Sequence, residues 1–138
     1  MNETKFNNEL ETENHNHIQV FFYRAPKKNY DAIVQNLKKF IPWFKEQGVR
    51  IEYYQFSDNE TMNNETMERM ESIAKTISTS EDEDLWIELQ YYRDRKHCED
   101  IFAKMMQEKS FESLGNEFFG LITDKKSLVT GGFNILKT

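Results

Sequence analysis

Carboxylates set among aromatic rings are the groups in this chain best suited to acid–base or binding chemistry. Glu52 and Tyr54 lie two apart in the run Val49-Arg50-Ile51-Glu52-Tyr53-Tyr54-Gln55-Phe56, and Trp86, Glu88, Gln90 and Tyr92 recur at every second residue of a later run. In an extended strand alternate residues share a face, so each set stands together. A carboxyl enclosed in a dry aromatic cavity has its pKa raised and becomes a general acid or base near neutral pH. The same side chains can instead make hydrogen bonds or ion pairs at an interface, with Arg24, Arg50 or Arg93 as partners, and both readings stand at this point.

Other chemistries lack their residues. No Ser-His-Asp or Cys-His set occurs at recognisable spacing, no glycine-rich phosphate loop is present, and no thiol pair suggests zinc. His97 and Cys98 are adjacent, so on a helix they point about 100° apart and form no nucleophile–base pair. His97 is expected at the surface near a helix start and Cys98 in the core. His15 and His17 flank Asn16 without a carboxylate or thiol at ligand spacing, so no metal is assigned, and no cofactor is expected.

The bulk numbers narrow the class further. A chain of 138 residues makes one domain with a real core. Aromatic residues are 14% of the total, so rings must supply much of that core. A net charge of −6 argues against a general nucleic-acid binder, which needs a basic face, and against an anionic membrane surface. No apolar run approaches membrane-spanning length, the N-terminus has no apolar signal core, and the single Cys98 forms no internal disulfide, so a cytoplasmic location is expected. The Asn-Glu-Thr triplets at 2–4, 59–61 and 64–66 match the glycosylation pattern by chance on that view.

The elements that must hold these residues follow from hydrophobic period. Residues 1–16 are polar and read as a flexible tail, leaving 17–138 as the domain. Ile18–Arg24 is a strand. Tyr30, Ile33, Val34, Leu37, Ile41 and Phe44 then mark one face of a long helix, which Pro42 should kink and Gly48 should stop. The strand bearing Glu52 comes next, then a polar loop from Ser57 to Asn64 and a helix near 65–77 on Met67, Met70, Ile73, Ala74 and Ile77. The acidic run Glu81-Asp82-Glu83-Asp84 reads as solvated. After the strand that carries Glu88, Asp94 can cap a helix with Cys98, Ile101, Phe102 and Met105 on its apolar stripe. A shorter helical piece spans Phe111 to Phe118. The last strand, Ser127–Leu136, contains Gly131 and Gly132, and a glycine pair in a strand implies a bend, a bulge, or close approach of another chain or a ligand.

Strand, helix, strand, short helix, strand, helix, strand is the ferredoxin-like α+β pattern with a four-stranded antiparallel sheet. Right-handed crossovers put both long helices on one face. The other face, rich in large side chains, then needs a partner, and a second copy of the chain packed sheet to sheet makes a homodimer.

The element order, Pro26 and Tyr30 at the first helix, Gly48 after it, Glu83 before the third strand and Gly131-Gly132-Phe133 in the last one together resemble the YbaA-like family of uncharacterised proteins in the dimeric α+β barrel superfamily. The resemblance covers residues 17–137. It departs at Glu88-Leu89, where the family has a Ser-Trp pair. It departs again at Ile122–Ser127, where only Asp124 and Lys126 match the family's Pro-Phe-Asp-Gly-Lys-Arg. The resemblance implies the fold and dimerisation and no particular activity. Superfamily relatives include cofactor-free monooxygenases, haem enzymes, isomerases and ligand sensors, which use the cavity between sheet and helices. Two functions follow. One is a homodimer that binds a small apolar or aromatic molecule in that cleft through Glu52, Tyr54, Trp86, Glu88, Gln90 and Tyr92. The other is a non-catalytic self-association module. A cavity of ~300 Å³ or more lined by these residues would favour the first.

Overall fold

Strand β1 (His17–Pro26) runs through the middle of the sheet, with a strand hydrogen-bonded to each of its edges. The computed structural model describes residues 14–57, 72–77 and 79–138. A 3-10 turn leads into helix α1 (Tyr30–Glu46), which returns the chain to edge strand β2 (Arg50–Gln55). A short helix α2 (Ile73–Thr76) precedes β3 (Glu83–Tyr92), and helices α3 (Arg95–Gln107) and α4 (Lys109–Leu121) lead to the other edge, β4 (Val129–Asn134). The strand order is β2-β3-β1-β4 with every neighbouring pair antiparallel. This is the expected ferredoxin-like α+β fold.

Period-2 alternation splits the sheet into two unlike faces. Tyr23 and Ala25 of β1 and Trp86 of β3 pack with Ile33 and Leu37 of α1 and Ile122 in one buried cluster. Tyr92 packs with Phe44, Val49, Cys98 and Ile101 in a second. Helices α1, α3 and α4 therefore cover the face that carries Tyr23, Trp86 and Tyr92. Two asparagines tie α1 and the turn before it to α4: Asn29 Nδ2 donates to the Leu121 carbonyl at 2.8 Å, and buried Asn36 Nδ2 to the Leu114 carbonyl at 3.1 Å. The opposite face carries Ile18, Val20, Phe22, Ile87, Leu89 and Tyr91, half-buried, with Tyr54, Val129 and Phe133 exposed.

The stops and caps are local chemistry. Gly48 adopts φ +77°, its N–H reaches the Lys45 carbonyl at 3.1 Å, and the Val49 N–H reaches the Phe44 carbonyl at 3.0 Å. That pair of bonds is a Schellman ending, and Phe44 and Val49 meet in the core as such endings favour. Asp94 caps α3 by accepting the His97 N–H at 2.7 Å. Helix α1 continues through Pro42 without interruption.

Several expectations are corrected. His97 is buried, not superficial: its Nδ1 accepts the Arg93 N–H at 3.1 Å and its Nε2 meets the Gln47 carbonyl at 2.9 Å, so it joins the start of α3 to the end of α1. Glu83, within the acidic run, is not merely solvated. It pairs with Arg24 at 3.3 Å and accepts hydrogen bonds from Thr123 Oγ1 and from the Ser80 N–H and hydroxyl. Burial pushes its carboxyl up, but the bonds from Thr123 and Ser80 and the Arg24 charge together hold it down to about 2. The helical piece at Phe111 is longer than its apolar spacing implies, because Gly115 and Gly120 are accommodated within it. His15 and Asn16, placed in the tail, are docked: His15 Nε2 meets the Gly48 carbonyl at 3.3 Å, and the Asn16 carbonyl accepts the Ile135 N–H at 2.9 Å. Residues 1–13, the three glycosylation triplets, most of the polar loop and the Met67–Met70 part of the expected helix lie outside the described residues.

The glycine pair has a reason other than a bend. Val129 to Asn134 pair one for one with Phe22 to His17, with no residue skipped. A Cβ at Gly132 would sit 2.8 Å from His17 Cε1 and 3.0 Å from Gln19 Oε1, so two side chains of β1 occupy its place. At Gly131 the nearest atom is the Phe133 ring at 3.5 Å, an ordinary contact. Gly132→Ala is therefore expected to cost about 1–3 kcal/mol in a urea unfolding titration, while Gly131→Ala stays within about 0.5 kcal/mol. Equal costs would mean that strand conformation, not the crowding by His17 and Gln19, sets the need for glycine.

Candidate functional site

A cavity of about 610 Å³ lies between the sheet and helices α1, α3 and α4. Its floor is β-sheet: Phe21 and Tyr23 from β1, Tyr53 from β2, Glu88 and Gln90 from β3. Its walls are apolar, with Leu37, Phe40 and Phe44 from α1, Phe102 and Met105 from α3, and Phe111 and Phe118 from α4. The register explains the floor, since Phe21 and Tyr53 lie directly opposite Glu88 on either side. Rings from adjacent elements stiffen it. Phe118 meets Tyr23 edge-on at 5.0 Å, and Tyr23 stacks on Trp86 at 6.2 Å with 7° between planes.

One carboxyl stands on the sheet floor of this apolar space. Burial pushes Glu88 up to about 7, against the opposing pull of a hydrogen bond from Gln90. No arginine or lysine pairs with it among the described residues. Gln90 is buried and held from behind, where the Tyr92 hydroxyl donates to its Oε1 at 2.6 Å. Gln90 Nε2 in turn donates to Glu88 Oε2. Tyr23 and Tyr53 are both pushed well above the usual phenol range, chiefly by burial and then by the nearby Glu88 charge. The Tyr23 hydroxyl is buried and has no hydrogen-bond partner among the described residues.

The residues singled out by alternation fall into two places. Glu88 and Gln90 line the cavity, with Tyr92 behind Gln90 and Trp86 behind Tyr23. Glu52 and Tyr54 lie on the other side of the sheet, because Tyr53, not its neighbours, shares a face with its cross-strand partner Glu88. There Glu52 pairs with Arg50 at 3.0 Å, and the Arg50 guanidinium lies 5.7 Å from the Tyr91 ring centre. Tyr91 is pushed up to about 12 by burial and then by Glu52. Gly132 adjoins a small polar group near the cavity floor: His17 Nε2 contacts Gln19 Oε1 at 3.1 Å, and Gln19 Nε2 donates to Thr130 Oγ1 at 3.0 Å. Sequence reasoning missed Tyr23 and Tyr53. The signal for them was cross-strand register, which one strand's alternation does not contain.

No group of three or more His, Cys, Asp or Glu able to hold a metal ion occurs among the described residues, and no described helix is long and apolar enough to cross a membrane. Residues 16–120 match the family described as "Protein of unknown function (DUF1428)". The chain belongs to that family. The match to DUF1428 ends before β4, so it does not reach Gly131-Gly132-Phe133, and it carries no YbaA-like label. No curated protein matches this DUF1428 chain.

Among solved structures, the hydroxynitrile lyase from Passiflora edulis is similar with a TM-score of 0.50 at 12% identity, covering 89% of this chain and 96% of that one. A mutant of SnoaB, a cofactor-independent oxygenase from Streptomyces nogalater, gives 0.49 at 10% identity over 89% and 96%. The de novo designed protein Foldit4 gives 0.44 at 9% identity over 88% and 98%. At such identities the likeness to the lyase concerns the fold of this DUF1428 protein and nothing of its chemistry.

Proposed function

We propose that this protein is a cytoplasmic homodimer, YbaA-like in kind, that binds a small apolar or aromatic molecule in the cavity between its sheet and helices. The observation that carries the reading is the 610 Å³ aromatic cavity with the Glu88 carboxyl in its floor. A carboxyl is costly in apolar surroundings, and a domain built only for self-association gains nothing by holding one there. Small-molecule sites have this volume and this composition, apolar walls with a few fixed polar groups. Dimerisation is a separate matter of the opposite face. Its rows of Ile, Val, Phe and Leu side chains suit an isologous contact with a second copy, since a two-fold interface needs one self-complementary patch.

Both parts are tested by native mass spectrometry of freshly purified, full-length protein. The expected spectrum shows twice the chain mass, with an adduct of a few hundred daltons that detaches on collisional activation. A bare dimer that also refuses neutral aromatic probes would remove the ligand and leave the self-associating module, the other function open to this fold.

A further inference from the structure

We propose that the cavity selects neutral, apolar molecules that carry a hydroxyl group, and that this hydroxyl docks on Oε1 of Glu88. The inference deepens the ligand-binding reading above and rests on it. Its first support is the fixed half of the carboxylate. The Tyr92 hydroxyl gives its proton to Gln90 Oε1, so the Gln90 amide must turn its N–H toward Glu88 Oε2. Oε1 is left on a residue that lines the cavity, with no hydrogen bond among the described residues. A hydroxyl donor placed there satisfies it.

The second support is Tyr23. Its hydroxyl is buried without a partner among the described residues, and its ring lines the same cavity. A ligand oxygen that donates to Glu88 can accept from Tyr23 and so fill two unmet demands at once. The third support is the pattern of charge around Glu88. Tyr23 faces it from β1 and Tyr53 from β2, whereas α1 contributes only apolar side chains. Glu108, Lys109 and Glu112 are the remaining charged groups of the lining, at the α3–α4 junction where Lys109 and Glu112 are exposed. An anionic ligand would thus meet a carboxylate in the interior, while the lining's one cation, Lys109, stays at the exposed α3–α4 junction. A wholly apolar ligand would strip water from Oε1 and offer nothing in return.

Burial that lifts Glu88 to about 7 makes the carboxylate the main form at pH 8 and the neutral acid the main form at pH 5.5. Preference for a hydroxyl donor should follow that titration. Equilibrium dialysis of the full-length protein against 2-naphthol, naphthalene and 2-naphthoate at both pH values tests it. At pH 8, 2-naphthol is expected to bind about tenfold or more tightly than naphthalene and about tenfold or more tightly than 2-naphthoate, with the first ratio falling severalfold at pH 5.5. Glu88→Gln should abolish the pH dependence and bind naphthalene at least as tightly as the wild-type protein does, which also shows the cavity intact. Tyr23→Phe should lower 2-naphthol affinity about threefold and leave naphthalene unchanged. Equal binding of 2-naphthol and naphthalene at pH 8 overturns the proposal and spares the cavity. A pH-dependent preference that persists in Glu88→Gln does the same. Failure of all three compounds to bind removes the ligand-binding reading and the proposal together.

Discussion

Glu88→Gln is expected to be more stable than the wild-type protein at pH 8 by about 2–3 kcal/mol and no more stable at pH 4. The sign follows from where the proton sits. An unfolded Glu titrates near 4.5, and the folded Glu88 near 7 because burial disfavours its charge. Below about pH 4.5 both states hold the proton and nothing is lost. As pH rises from there through about 7, the unfolded chain gives up its proton while the folded one keeps it, so stability falls. Above that the deficit stays constant. Gln has the same shape without the charge, and its amide oxygen can still accept from Gln90, so the deficit vanishes. Urea titrations at pH 4, 6 and 8 should show two curves that separate as pH rises, with a melting-temperature gap of roughly 6–12 °C at pH 8. Parallel curves would mean that Glu88 is solvated in the folded protein and that the cavity floor is wet. The variant predicted to gain stability is also the one predicted to lose recognition of the hydroxyl, the trade expected where a site is held in an unfavourable state for use.

The wild-type chain is expected to sediment as a dimer at micromolar concentration, and Ile87→Glu as a folded monomer. In register across the open face, Tyr54, Ile87, Phe22 and Val129 form one row, and Arg50, Tyr91, Ile18 and Phe133 another. Between them runs Glu52, Leu89, Val20 and Gly131. Ile87 sits on a central strand, and neither of its cross-strand neighbours, Tyr54 and Phe22, carries a charge. A two-fold contact would bury the new carboxylate twice, with no cation in its row, and raise the dissociation constant about a thousandfold or more. Ile87 is only half-buried in the subunit, so far-ultraviolet circular dichroism should be unchanged. A wild-type chain that stays monomeric at high micromolar concentration ends the dimer proposal. Retention of the dimer by Ile87→Glu would place the contact elsewhere.

Much of this protein follows from local pattern. The strands around Phe21, Glu52 and Glu88 alternate, helices α1 and α3 repeat at 3.6 residues, and Gly48 and Asp94 sit where helices must end and begin, so element order and fold class were readable from residue types alone. Even the grouping of Trp86, Glu88, Gln90 and Tyr92 on one side of a strand was readable, because it depends on nothing beyond the pleat. What the residues could not say is which side that was. Glu52 and Glu88 are alike in sequence: each is a carboxylate two residues from a tyrosine or glutamine in an aromatic strand. Register and the face chosen by three helices put Glu88 in an aromatic cavity, where its charge is costly, and Glu52 beside Arg50 on the opposite face, where it is paired. Gly132 and His97 tell the same story at smaller scale. The demand on each comes from atoms distant in the chain, His17 and Gln19 over the glycine and the Gln47 carbonyl at the imidazole, and contacts of that kind exist only once the strands have paired and the helices have docked.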